Sequence, residues 1–300
     1  MFSNLIYGGE IAALLAAFFW AGASHFFDRA GKRIGSVELN LFKGAVALVF
    51  LVATAVLTGV HFSNLDAQTL TLLVLSGIIG IGVGDTVFFK ALESIGPRRA
   101  LLVSSITPAM TALIAWGFLD EALAPRAWLG MTVTIAGIIW VVTERPGAGK
   151  VNLNFPLKGL AYALLYALSQ AVGAVLSRAA LHETSVSSLQ SALLRLAAGM
   201  VVLMVWVWVR RIPLGGWLKG ADSRRIGIEA FVATILGTYL GMWLQQTSFK
   251  LSPVAIAETL SSTSPIFILP IAALAHDRVS LRAIFGALLA SLGVMMLFTV

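Results

Sequence analysis

Apolar runs of about twenty residues recur along the chain, separated by short polar segments. Each run is long enough to cross the ~30 Å hydrocarbon core of a bilayer as an α-helix. The pattern predicts an all-α integral membrane protein with ten transmembrane helices. Their approximate limits are residues 8–27, 37–58, 68–92, 98–119 and 125–143, then 158–180, 186–209, 226–249, 253–275 and 280–299.

A stretch of the third and fourth predicted spans occurs twice, 157 residues apart. Glycine and proline are costly inside helices, so their coincidence carries more weight than matched leucines. Internal similarity of this kind predicts two structural units, residues 1–145 and 158–300, joined by a polar Gly/Pro-rich linker at 146–157. The matched positions are Gly80, Gly84, Ser104, Ser105 and Pro108 with Gly237, Gly241, Ser261, Ser262 and Pro265, then Asp120 with Asp277, and, after one dropped residue, Arg126, Gly130 and Gly137 with Arg282, Gly286 and Gly293.

Five spans per unit have a geometric consequence. An odd number makes the second unit enter the membrane from the side opposite to the first, so the two units form an inverted repeat. This architecture is typical of secondary transporters, in which the substrate site lies between the repeats near the bilayer midplane.

The composition agrees with a membrane protein. Hydrophobic residues make up 58% of the chain and charged residues 12%, about half the charged share of soluble domains, and the mean hydropathy is +0.91. The net charge of +7 comes mainly from short loops, which favours a topological explanation over nucleic-acid binding.

The basic loop residues also predict the orientation. Only Arg126, Arg178 and Lys250 lie on the side of the chain termini, here called the terminal side. Since basic loops stay in the cytoplasm, both termini are predicted to lie outside a cell (plasma or inner) membrane. The opposite side, here called the basic side, carries fifteen residues: Arg29, Lys32, Arg33, Arg98, Arg99, Arg145, Lys150, Lys158, Arg210, Arg211, Lys219, Arg224, Arg225, Arg278 and Arg282.

Several function classes fit the sequence poorly. The chain has no cysteine and four scattered histidines, and it contains neither an HExxH nor a GxSxG motif. We therefore expect no enzyme activity, no metal and no cofactor. A channel would have a ring of like polar groups along its pore, and no pattern in the sequence predicts such a ring.

Pro108 and Pro265 lie within the fourth and ninth predicted spans, and Ser104, Ser105, Ser261 and Ser262 precede them. Proline removes a backbone hydrogen bond and bends a helix. The functional interpretation is that two kinked helices line a wet cavity with their hydroxyls facing it. The alternative is a static kink whose carbonyls are satisfied by the helix's own serines.

Four charged residues lie inside predicted spans, where a charge normally faces water or a partner. Lys43 and Asp85 lie at similar depths, about 9 and 10 Å from the basic side. Arg195 and Glu258 form a second candidate pair near the terminal side. The two pairs are hypothesised to act as the inner and outer gates of the cavity. Alternatively, Asp85 or Glu258 binds a coupling proton. The alternative is that Lys43 extends to the interface and that Glu258 lies in a polar vestibule.

Further amide and aromatic side chains inside spans are candidates for a substrate cavity, since such groups could hold an amphipathic organic molecule. For any single one of them, interhelical hydrogen bonding or lipid contact is the simpler explanation. The candidates are Trp20, Tyr166, Gln170, Tyr239, Trp243 and Gln246.

Several segments resemble the pair of EamA-type domains in the ten-helix drug/metabolite transporter superfamily. They are GDTVFFKALESIGPRRA, SSITP, LDEAL and AGIIWVV, with a fainter counterpart in the second unit at Asp277-Arg278. The resemblance implies export of amino-acid-like or other small amphipathic metabolites. It also implies cytoplasmic termini, whereas the charge count predicts the opposite. We expect a secondary transporter working by alternating access, with a small-molecule substrate and the lipid bilayer as partners. A lipid or glycolipid flippase on the same fold is the alternative.

Overall fold

The computed structural model describes residues 5–31, 33–62, 65–143, 156–219, 222–274 and 281–298. Every regular element in these ranges is helical, which confirms the all-α prediction. Residues 146–155 of the predicted linker, and Asp277 and Arg278, lie outside the described residues. The α-helices are α1 (Gly8–Gly31), α2 (Ser36–Leu57), α3 (Ala67–Gly77), α4 (Gly84–Ser104), α5 (Thr107–Leu119), α6 (Pro125–Thr143), α7 (Leu157–Leu181), α8 (Ser188–Arg210), α9 (Ser223–Ala233), α10 (Met242–Leu251), α11 (Val254–Ser261), α12 (Ser264–Leu274) and α13 (Leu281–Leu297).

The helices reproduce the predicted spans within a few residues. Seven helical stretches are long and apolar enough to cross a membrane, and three shorter apolar helices cover 8–24, 254–268 and 284–297. Together they account for the ten spans predicted from hydropathy.

The third and eighth spans each contain a turn of π-helix where the sequence predicts plain α-helix. The π-segments cover Ile78–Val83 and Thr234–Gly241, the same place in both units. A π-turn leaves carbonyls poorly matched to the usual ladder, and each segment receives a donor from the other unit. The Trp20 indole donates to the carbonyl of Gly237 at 2.8 Å, and the Gln170 amide donates to that of Gly80 at 3.0 Å.

The fourth and ninth spans are each interrupted by a short turn, in which Ser105, Ile106 and Ser262 keep right-handed helical dihedral angles; the turns lie where the sequence predicts kinks. α4 ends at Ser104 and α5 begins at Thr107, while α11 ends at Ser261 and α12 begins at Ser264. Pro108 and Pro265 are therefore the second residues of new helices. A proline is favourable there because first-turn amides have no partner inside the helix.

The two units pack against each other reciprocally. Helix α1 contacts α9, the second π-segment and α10 of the other unit, and α7 contacts α3, the first π-segment and α4. The two first helices thus occupy equivalent places against opposite units.

Helices α6 and α13 form an extensive contact through the paired glycines. A Cβ atom at Gly130 would lie 3.0 Å from the carbonyl oxygen of Gly293, and one at Gly286 would lie 3.2 Å from that of Gly137. These glycines allow close backbone approach between α6 and α13.

Candidate functional site

A cavity of about 370 Å³ lies between the two units. This volume falls within the range of small-molecule sites. Residues from the first nine spans line it, and they are Trp20, Asn40, Lys43, Gly44, Ile81, Asp85, Leu101, Ser104, Ser105, Thr107, Ile138, Val142, Tyr166, Gln170, Arg195, Leu196, Gly199, Met200, Leu203, Gly237, Thr238, Met242, Gln245, Glu258, Ser261, Ser262, Ser264 and Pro265.

The structure brings most of the predicted site residues together around this cavity. The four charged candidates all line it, and so do eight of the others: Trp20, Ser104, Ser105, Tyr166, Gln170, Ser261, Ser262 and Pro265. The remaining four lie elsewhere. Pro108 is buried in the first turn of α5, and the other three lie on a neighbouring face of the eighth span.

Helix phase explains those three positions. The Tyr239 hydroxyl lies 2.7 Å from that of Thr54, the Trp243 ring packs near Tyr239, and Gln246 accepts from Ser191 at 2.8 Å. Thr238, Met242 and Gln245 face the cavity instead. The two faces are one residue, or about 100°, apart on a helix. The π-segment Thr234–Gly241, which contains Thr238 and Tyr239 and precedes the other four residues, has an extra residue in its turn and so changes this phase.

Lys43 and Asp85 meet at the partly exposed end of the cavity. The Lys43 ammonium lies 3.6 Å from the Asp85 carboxylate, and their side chains are 29% and 23% exposed. The Asn40 amide donates to the same carboxylate oxygen at 3.2 Å. The equal-depth argument thus placed two groups that are in contact, near the basic side.

Arg195 and Glu258 lie deeper, with exposures of 4% and 7%. They share the cavity, but within the described ranges no ion pair of 4 Å or less joins them; the Glu258 carboxylate instead accepts from the Gln245 amide at 3.4 Å. Both are far more buried than the Lys43–Asp85 pair, so the cavity becomes less accessible towards the terminal side.

Hydroxyl groups at the two helix breaks have mixed roles. Ser105 donates to the carbonyl of Leu101 at 3.0 Å, and Ser262 donates to that of Glu258 at 2.8 Å. Both carbonyls also accept from the backbone amide of the same serine, so neither is freed by the break. The carbonyl of Ser104, whose usual amide donor is replaced by Pro108, accepts from the Thr107 hydroxyl at 2.7 Å, as the static-kink interpretation expects. The Ser261 hydroxyl is buried and has no partner among the described residues, although Ser261 lines the cavity.

Beyond the deep end, a cluster of polar contacts joins both units on the terminal side. Glu121 accepts from the Arg178 guanidinium at 2.5 Å and from the backbone amide of Val254 at 2.9 Å. Arg178 also donates to the carbonyls of Phe249 and Lys250 at 2.9 and 2.8 Å. We call Glu121, Arg178 and these backbone groups the terminal-side network.

A fully buried apolar cluster surrounds the terminal-side network. It contains Phe249 and Val254, both with 0% exposure, together with residues of the third, fourth and sixth spans. The network and this cluster close the cavity towards the terminal side, while the end near Lys43 stays partly open.

Sequence reasoning missed several of these groups. Asn40 is three residues before Lys43, so the helical period alone could have placed both on one face. Glu121 and Arg178 gave no such signal, because they are far apart in sequence and each lies at a span end where charges are ordinary.

The profile of the EamA-like transporter family matches residues 7–143 and again residues 157–299. An "Uncharacterized transporter" of Archaeoglobus fulgidus is 25% identical over 290 residues, covering 96% of both chains. The "Uncharacterized transporter YyaM" of Bacillus subtilis is 25% identical over 258 residues, covering 84% of this chain and 80% of that protein. A solved crystal structure shares the fold with a TM-score of 0.78 at 15% identity, over 96% of this chain and 95% of that one. This multi-pass membrane protein, with one family repeat in each half, therefore belongs to the EamA-like transporter family.

Proposed function

We propose that the protein is a secondary transporter that moves a small, amino-acid-like or similarly amphipathic metabolite by alternating access. One observation carries the proposal: a polar, charged cavity between two similar repeats is partly open at one end and closed at the other. Such a cavity between repeats is the arrangement in which alternating access operates.

The inverted relation of the two units belongs to this proposal. The contacts of α1 with the second unit correspond to those of α7 with the first unit. A pseudo-two-fold axis that exchanges the two units requires this correspondence. With five spans in each unit, that axis lies in the membrane plane. The same symmetry lets one unit open the cavity on one side as the other closes it.

Export is the proposed direction. If the basic side is cytoplasmic, as the charge count predicts, the partly open end near Lys43 faces the cytoplasm. A substrate would then enter from the cytoplasm, and the terminal-side network would break to release it outside.

Orientation can be tested directly because the chain contains no cysteine. Single cysteines at exposed Ala124, on the terminal side, and at Gly216, on the basic side, provide a matched pair. A membrane-impermeant thiol reagent applied to intact cells is expected to label A124C and spare G216C. The reverse pattern would place the termini in the cytoplasm and favour uptake through the open end.

The function itself is tested by a thermal-shift screen of small metabolites on the purified protein, followed by counterflow of labelled hits in proteoliposomes. Counterflow that requires Asp85 is the expected result. Movement of fluorescent lipids between leaflets without metabolite counterflow would replace the proposal with the flippase alternative. The proposed function would be refuted if no stabilising compound showed counterflow and no lipid moved between leaflets.

A proton is the proposed coupling ion, with Asp85 or Glu258 as its carrier, since these are the two carboxylates that line the cavity within the described part of the chain. In proteoliposomes, an imposed proton gradient is expected to accumulate the labelled metabolite above equilibrium. Equal uptake with and without the gradient would remove the proton from the mechanism.

A further inference from the structure

Two glycines make room for Arg195 where α8 crosses the third span. A Cβ atom at Gly77 would collide with the main chain of Arg195, and one at Gly80 would lie 3.2 Å from its guanidinium. The gap left by these residues admits the backbone of α8 and one large side chain. The guanidinium is therefore held against the cavity wall with 4% exposure.

Among the described residues, Arg195 differs from the other charges of the cavity in having no hydrogen bond and no contact ion pair; it interacts with the Glu258 carboxylate only at a distance. Asp85 contacts Lys43 and Asn40, and Glu258 accepts from Gln245. Within the described part of the chain, the Nε of Arg195 makes no hydrogen bond, and no carboxylate approaches its nitrogens to within 4 Å.

A buried guanidinium that makes no hydrogen bond is unfavourable at membrane depth, because a carboxylate at a distance replaces only part of its lost hydration. The cost falls when an oxyanion arrives, because the planar guanidinium can donate two parallel hydrogen bonds to a carboxylate or phosphate. We propose that Arg195 is the anion subsite of the cavity and binds a carboxylate or phosphate group of the substrate. The inference rests on the proposed function and specifies its substrate class as organic oxyanions, including zwitterions.

The rest of the cavity fits such a substrate. Glu258, also deep in the cavity, can accept from an ammonium group, and the rings of Trp20 and Tyr166 offer apolar surface. A substrate with an anionic end at Arg195 would place its remaining part among these groups.

The first test needs no ligand and uses a second buried arginine of the described residues, Arg178, as a matched control. Arg178, with 6% exposure, is bonded to Glu121 and two carbonyls. Substitution R178M breaks a satisfied buried pair, so its melting temperature is expected to fall by about 6 °C or more. Substitution R195M breaks no hydrogen bond and no contact ion pair to a described residue, so its melting temperature is expected to fall much less than that of R178M. A fall in R195M equal to that in R178M would assign Arg195 a structural role and overturn the proposal.

The second test measures which chemical group binds. Small carboxylates, the matching carboxamides and phosphate monoesters are compared by thermal shift on the wild-type protein and on R195M. Carboxylates or phosphate monoesters are expected to bind the wild-type protein with at least tenfold higher affinity than carboxamides do. R195M is expected to lose this preference. Comparing the affinity for carboxylates with the affinity for phosphate monoesters shows which of the two groups the subsite prefers.

Carboxamides that bind as tightly as their carboxylates, or an unchanged preference in R195M, would overturn the anion subsite. The proposed function would survive that result if the carboxamides also show counterflow in proteoliposomes. The two proposals therefore fail on different measurements.

Discussion

The terminal-side network gives the sharpest prediction, because substitution E121Q changes one charge and almost no volume. The Glu121 carboxylate accepts from Arg178 and from the backbone amide of Val254. A glutamine retains one acceptor oxygen and turns an NH₂ group towards the second donor. Arg178 keeps its bonds to two carbonyls but loses the countercharge.

The expected cost can be worked from these contacts. A hydrogen bond to a charged group contributes about 1.5–3 kcal/mol, and E121Q loses one such bond, so we take about 2 kcal/mol. If opening towards the terminal side breaks this network, the open state gains that amount relative to the closed state. Each 1.4 kcal/mol is a factor of ten, so the open population is expected to rise roughly 30-fold.

Ser261 is a suitable reporter of this opening. It lines the cavity, is 2% exposed, and its hydroxyl has no partner among the described residues, so S261C should disturb the fold little. The rate at which an impermeant thiol reagent labels S261C from the terminal side is measured with and without E121Q. A rise of roughly 30-fold is expected from the population estimate above.

Glu183 provides the control for this experiment. It is an exposed glutamate on the same side of the protein, so E183Q should leave the labelling rate unchanged. Equal labelling of S261C with and without E121Q, in a protein that still folds, would show that the network does not limit opening.

Three further substitutions test other parts of the structure. Substitution D85N leaves Lys43 without its carboxylate and is expected to lower counterflow at least tenfold, whereas unchanged counterflow would remove Asp85 from the mechanism. Substitution G137A forces a Cβ against the backbone of α13 and is expected to lower the melting temperature, whereas G117A, which meets open space, should leave it equal or higher. Substitution W20F removes the donor to the carbonyl of Gly237 and is expected to destabilise the protein by about 1–3 kcal/mol, measured by chemical denaturation.

The sequence predicted the spans well because hydrophobic length is a one-dimensional property, and a bilayer leaves little choice of element. It also predicted the contact of Lys43 with Asp85, whose depths along their helices agree. Depth along the helices was not enough to predict whether Arg195 and Glu258 are in contact, since contact also requires the two side chains to face each other around the helix axes.

The π-segments explain much of what the sequence could not predict. Nothing in Thr234–Gly241 distinguishes an α-turn from a π-turn in advance, yet the difference decides whether Gln245 or Gln246 faces the cavity. The terminal-side network was equally hidden, because its bonds to the backbone of Phe249 and Val254 depend on tertiary placement and not on residue type.

The irregular backbone is concentrated in four spans, and this distribution bears on how the cavity could change shape. The π-segments lie in the third and eighth spans, and the breaks lie in the fourth and ninth. Such segments have weaker internal hydrogen bonding and bend more readily than continuous helix. Helices α6 and α13, by contrast, are uninterrupted and locked together by glycine contacts. Under alternating access we therefore expect the third, fourth, eighth and ninth spans to move relative to a fixed α6–α13 pair. A bifunctional thiol reagent that links W140C to F285C, whose rings pack with centroids 5.8 Å apart, should then spare transport, because it joins two helices that stay together throughout the cycle.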